Sequence, residues 1–118
     1  MKRDMDLVRK ILLALEEHSE ADSIFELTIP DCEQEVVGYH VMLMAEGGLI
    51  QAEDVSDMTD CDWWPRRLTW AGHDFLDSAR DNSIWNRAKA KIGSTIGSAS
   101  FDVFKSLLVK FGSEAMDL

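Results

Sequence analysis

The longest absence in this sequence is of positive charge. No lysine or arginine occurs between Ile11 and Pro65, a span of 55 residues that holds fourteen acids. Phosphate contacts need Lys or Arg, so this span is a poor surface for nucleic acid. It is a good one for a basic partner. Long apolar runs are missing too. None approaches the roughly 18 residues of a membrane-crossing helix. Met1-Lys2-Arg3-Asp4 leads into an amphipathic stretch carrying Glu16 and Glu17, not into the apolar core of a signal peptide. A cytoplasmic protein with no membrane partner is expected. Cysteine is scarce: Cys32 and Cys61 lie far apart, and free thiols in a reducing compartment are the plain reading.

Chemistry-bearing motifs are also absent. Cys32, His40, Cys61 and His73 are the soft ligand types present, but no C-x2-C or H-x3-H pair brings two of them close. No Ser-His-Asp or Cys-His arrangement is signalled, no glycine-rich phosphate loop follows a strand, and no H-E-x-x-H occurs. Gly47-Gly48 reads as a helix stop. Neither a metal, a cofactor nor an enzymatic activity is expected.

What remains is enough for one small domain. The chain has 118 residues, 46% of them apolar, which suffices for a core without staples. Its net charge of −10 is uneven: residues 1–10 and 66–118 each sum to +2, and the span between them carries −14.

Periodicity places the elements. Leu7, Val8, Ile11, Leu12 and Leu15 share one face of a helix over Asp4–Glu17, with Asp4 and Asp6 suiting its dipole. Ile24–Ile29 alternates like a short strand, and Pro30 ends it. Asp31 suits an N-cap with Gln34 as its capping-box partner, opening a helix over Glu33–Glu46. His40 falls on the apolar side of that helix, as a core or edge residue. Gly47-Gly48 stops it. Leu49–Val55 is a strand, 56–65 a polar loop, and Arg66–Thr69 the returning strand. Thr69 caps a helix over Trp70–Arg80. A further helix runs over Ser83–Lys91, and residues 93–99 form a linker. The last helix, Ser100–Phe111, aligns Phe101, Phe104, Leu107, Leu108 and Phe111. The order (helix-strand-helix-strand-wing-strand) is that of a small α+β winged-helix-like domain over residues 1–92 with a C-terminal helical extension. Residues 100–118 then pack on the core or on a second subunit.

Four segments in this order, KRDMDLVRKILLALEE, GYHVMLMAEGGLI, RLTWAGHDFLDSARDNSIWNRAK and SASFDVFKSLL, resemble the small phage and prophage proteins catalogued as domain of unknown function 2513. The resemblance spans nearly the whole chain, and LTWAGHDFLD with IWNRAK is its most specific part. It implies a winged-helix-like fold and a mobile-element context, and it carries no catalytic residue.

Two functions follow from the pattern. In the first, carboxylates stand where a host partner with a basic surface expects phosphates, and aromatic side chains anchor the contact. The candidate partner-binding residues are Glu33, Glu35, Tyr39, Glu46, Glu53, Asp54, Asp57, Asp60, Asp62 and Trp63. This reading is a non-enzymatic, phage- or prophage-derived DNA mimic, an anti-CRISPR-like inhibitor of a host nucleic-acid-binding or defence complex. The plainer reading of the same residues is a solvated face, with Trp63 and Trp64 closing a small core under the wing. The alternative function is a winged-helix DNA-binding transcriptional regulator. It would use Lys2, Arg3, Arg66 and Arg67 on nucleic acid and form a homodimer through residues 100–111. Arg66 and Arg67 are otherwise expected to hold the wing by pairing with Asp60 or Asp62.

Overall fold

Helices and one two-stranded antiparallel sheet make up the computed structural model, which describes residues 1–93 and 101–116. The order is α1 (Met5–Glu17), α2 (Gln34–Glu46), β1 (Ile50–Asp54), β2 (Trp63–Leu68), α3 (Trp70–Ala79), α4 (Asn82–Gly93) and α5 (Phe101–Met116). The class is α+β, a small winged-helix-like arrangement followed by C-terminal helices. The chain forms two compact units, Met1–His73 and Asp74–Leu118. Gly93 closes α4; the rest of the expected linker lies outside the described residues.

In the first unit α1 buries the expected stripe, Leu7 through Leu15, against a core completed by Val37, Val41, Met44, Ile50 and Leu68. The Asp4 carboxylate caps α1 by accepting from the backbone N–H of Asp6 and Leu7 (3.0 and 3.4 Å). The Asp4 N–H itself donates to His40 Nε2 of α2 at 2.8 Å. His40 Nδ1 lies 2.9 Å from the Val36 carbonyl. An Nε2 that accepts leaves the proton on Nδ1, so the ring is neutral and donates to Val36. This fully buried histidine ties α2 to the start of α1.

The start of α2 differs from the expectation. Its N-cap is Glu33, with no side-chain cap bond, and Asp31 stands before it at φ 65°. Pro30 is the reason. Its fixed φ sets the second position of a type II turn, closed by Cys32 N–H to Ile29 O at 3.2 Å, and the third position must then take positive φ. Gln34 turns away from the capping role and donates to Leu27 O at 2.9 Å. The left-handed backbone at a non-glycine residue is costly, so Asp31→Gly is expected to raise stability by about 0.5–1 kcal/mol, after the extra freedom of glycine in the unfolded chain is subtracted. A urea midpoint that fails to rise would contradict this.

The first expected strand is also corrected. Leu27 and Ile29 are buried and Glu26 and Thr28 exposed, so the alternation is real. Yet 24–29 forms no ladder. Phe25 N–H donates to Pro65 O at 3.3 Å, and proline has no N–H to return the bond. Pro65 sits beside a bulge: Gln51 pairs with Arg67 and Ala52 with Pro65, leaving Arg66 as the extra residue. β2 also begins earlier than expected, at Trp63, so the wing loop is residues 55–62.

α2 ends in a Schellman motif. Leu49 N–H donates to Met44 O and Gly48 N–H to Ala45 O, with Gly48 at φ 79°. The Thr69 hydroxyl then donates to Gly48 O (2.6 Å) and accepts from Gly72 N–H (3.0 Å), capping α3 as expected. Thr69 N–H donates to Leu49 O (3.0 Å). Gly72 comes so close to that carbonyl that a Cβ would lie 2.0 Å from it. The L-T-x-x-G pattern is therefore a cap and a close approach, both anchored on the end of α2.

In the second unit Asp81 caps α4 (Ile84 N–H to Asp81 Oδ1, 3.0 Å). The apolar stripe of α5 packs on α4 of the same chain. Trp85 meets Phe104 with ring centroids 4.7 Å apart, and Phe75 meets Phe101 at 4.8 Å. Phe104, Leu108 and Phe111 are buried there.

Candidate functional site

The start of α2, segment 24–29 and the wing loop enclose an open cleft of about 460 Å³. It is lined by Glu26, Gln34, Glu35, Thr59, Asp60, Cys61 and Asp62: four carboxylates and no base. The wing owes its shape to its own acids. Asp57 Oδ1 accepts from Thr59 N–H (2.8 Å), Thr59 Oγ1 (2.9 Å) and Asp60 N–H (2.7 Å). Asp57 N–H donates to Asp60 O at 2.9 Å, and Val55 N–H to Asp62 O at 3.0 Å. Asp62 Oδ1 accepts from Trp63 N–H and Oδ2 from the Trp64 indole, both at 3.0 Å. Where Asp62 meets α2 stands Gly38, at which a Cβ would lie 3.3 Å from Asp62 Oδ1. Asp54 Oδ1 accepts from Ser56 N–H at 2.9 Å.

At Asp54 and Asp57 these bonds favour the ionised carboxyl. The Ser56 hydroxyl and amide hold Asp54 below the ordinary carboxylate range, and the Asp60 and Thr59 amides hold Asp57 there. A carboxyl depressed in the folded state supports that state at neutral pH, and the support fades as pH falls through the depressed value. The amide shifts of Thr59 and Asp60 are therefore expected to titrate with a midpoint below about 3.9, the ordinary Asp value. A midpoint at or above it would contradict this account of the wing.

The candidate residues thus divide. Glu33, Glu35 and Asp60 are exposed at the cleft or the turn beside it, together with Glu26, which composition alone does not distinguish. Asp54, Asp57 and Asp62 spend their carboxylates on the wing itself. Glu53 is ion-paired to Arg66, whose guanidinium also reaches Asp22 at 3.6 Å. This corrects the expected pairing of Arg66 with Asp60 or Asp62: the bulge turns Arg66 toward the 18–23 loop. Arg67 is exposed, and its Nη1 reaches Leu68 O at 3.4 Å. Glu46 ends α2, 13 residues on from the N-cap Glu33, and so lies about 20 Å along the axis from it. Tyr39 is half-buried with its ring edge-on to His40, and Trp63 and Trp64 are half-buried in β2. Lys2 and Arg3 are exposed ahead of α1.

Two apolar side chains stand out that periodicity does not single out. Met58 at the wing tip is fully exposed, and Trp70 is 84% exposed. Thr69 as a cap places Trp70 in the first turn of α3, which is the one signal the sequence holds for it. Among the described residues, no three His, Cys, Asp or Glu side chains gather as they would around a metal ion. No helix among them is long and apolar enough to cross a membrane.

The sequence profile of the family described as "Hypothetical protein (DUF2513)" matches residues 2–98. A protein of Haemophilus influenzae described as "Uncharacterized protein" is 40% identical over 108 residues, which cover 91% of this chain and 92% of that one. No solved structure matches the chain.

Proposed function

This chain belongs to the domain of unknown function 2513 family, and from that premise we propose that it is a non-enzymatic interaction protein of phage or prophage origin. Its acidic face substitutes for nucleic acid on a basic surface of a host nucleic-acid-binding or defence complex. One observation carries the reading: around the cleft, Glu26, Glu33, Glu35 and Asp60 are exposed, in a span without a base. Such a face steers a basic partner and repels phosphate. Met58 at the wing tip adds an apolar contact.

The division of the acids selects the test. Asp57 and Asp62 build the wing, so reversing them would confuse folding with binding. Glu26→Lys, Glu33→Lys, Glu35→Lys and Asp60→Lys together leave the wing bonds in place. The combined variant is expected to keep its circular dichroism and to lose capture of the host partner by about a hundredfold or more, as several close charge pairs turn repulsive. Capture that survives the four reversals would end the proposal.

The winged-helix-like order favours a second reading, a transcriptional regulator. Of its candidate contacts Lys2, Arg3 and Arg67 are exposed, while Arg66 is engaged by Glu53 and Asp22. Direct, salt-sensitive binding of duplex DNA that is lost in Arg67→Ala would favour it.

A further inference from the structure

The charge of the chain is segregated between its two units. Residues 1–73 hold six bases and sixteen acids, the full −10, whereas residues 74–118 hold six of each. Within the second unit the bases are not evenly set. Arg87 and Lys91 of α4 and Lys110 of α5 line one groove of about 400 Å³, with Leu107 and Phe111 at its floor and Glu114 its one acid. Arg87 is pre-set there. Its guanidinium lies over the Phe111 ring, 4.0 Å from the centroid, and Nη2 is held by Glu114 at 3.1 Å. A guanidinium has five N–H donors in a rigid plane. More than half of this side chain stays open to solvent, so donors remain for an incoming carboxylate at little ordering cost.

We infer that this α4–α5 groove receives the acidic start of α2, Glu33 and Glu35, from a second copy of the chain. Charge complementarity selects that occupant. The groove is a net-positive, apolar-floored slot that fits an acidic peptide face, and the first unit of another copy is such a face. Nucleic acid fits less well, because the rest of the chain repels it. The contact joins two different surfaces, so the copies either meet reciprocally in a closed dimer or ring or run on head to tail. Self-association then covers the face used in the proposed function, but it stands without any host partner and is measured on the purified chain alone.

The experiment is sedimentation velocity on the full chain at about 0.1 M salt, where a Debye length of about 10 Å screens the repulsion between two −10 chains but not charges in contact. The average mass is expected to rise with concentration above that of a single chain, and to fall back at about 1 M salt. Lys91→Glu with Lys110→Glu is expected to weaken association about tenfold or more, and Glu33→Lys with Glu35→Lys likewise. Mixing the two variants leaves one intact groove and one intact acidic face, and a one-to-one complex is expected. A chain monomeric throughout, or a closed dimer untouched by either reversal, overturns the inference. So does a groove reversal that changes DNA binding and leaves the mass alone, since the groove then serves nucleic acid.

Discussion

Gly72→Ala is expected to lower the stability of the chain by about 3 kcal/mol or more, and its melting temperature by roughly 10 °C. The new methyl group would sit 2.0 Å from the Leu49 carbonyl oxygen, which is backbone and cannot swing away. Relief requires the first turn of α3 to move off. That movement breaks the Thr69 N–H bond to Leu49 O and the Thr69 hydroxyl bridge between Gly48 O and Gly72 N–H. Gly112 is the control. It lies within α5, and the space a methyl group would take there is open, so Gly112→Ala is expected to stabilise by up to about 1 kcal/mol through helix propensity. Equal melting temperatures for the two variants would contradict the close-approach account.

His40→Leu is the second large effect, about 2 kcal/mol of destabilisation. Leucine keeps most of the volume in a fully buried site, so cavity formation is a small part of the cost. The loss comes from the Asp4 N–H, which donates to His40 Nε2 at 2.8 Å and would be left without that acceptor at the entry to α1. Chemical denaturation gives the magnitude. Amide exchange locates it: the first turn of α1, at Asp6 and Leu7, is expected to lose protection before the rest of the helix. A variant as stable as the parent would show that the histidine is only a space-filler.

The parts of the molecule that are legible in the sequence are those where one local signal decides the outcome. The apolar stripe of α1, the Thr69 cap and the Gly47-Gly48 stop each follow from spacing or from a single residue's conformational freedom. The parts that depart from expectation depend on a neighbour that overrides the local signal. Ile24–Ile29 has the right alternation, but the chain beside it is Pro65, which cannot complete a ladder. The Asp31 side chain suits a cap, yet Pro30 commits its backbone to the turn. Arg66 lies next to the wing in sequence, and a bulge that no composition reveals turns it to Glu53 and Asp22.

The acidic site is legible as a total and not as a set of roles. All fourteen acids count alike toward charge. The structure separates Asp57 and Asp62, whose carboxylates hydrogen-bond the wing into shape, from Glu26, Glu33, Glu35 and Asp60, whose carboxylates take no part in those bonds. Aspartate's short side chain suits it to the first task, since it bonds nearby backbone amides. Glutamate's longer stem reaches past the backbone, and three of the four outward acids are glutamates.

Competition with DNA tests whether this face stands in for nucleic acid as proposed. Once a host partner is captured, duplex DNA is titrated into the complex at fixed ionic strength and release of the partner is followed. Displacement is the expected result: this chain and DNA compete for the partner's one basic surface, and the chain alone shows no affinity for the duplex in the same titration. A ternary assembly, with the partner holding both DNA and this chain, would contradict it.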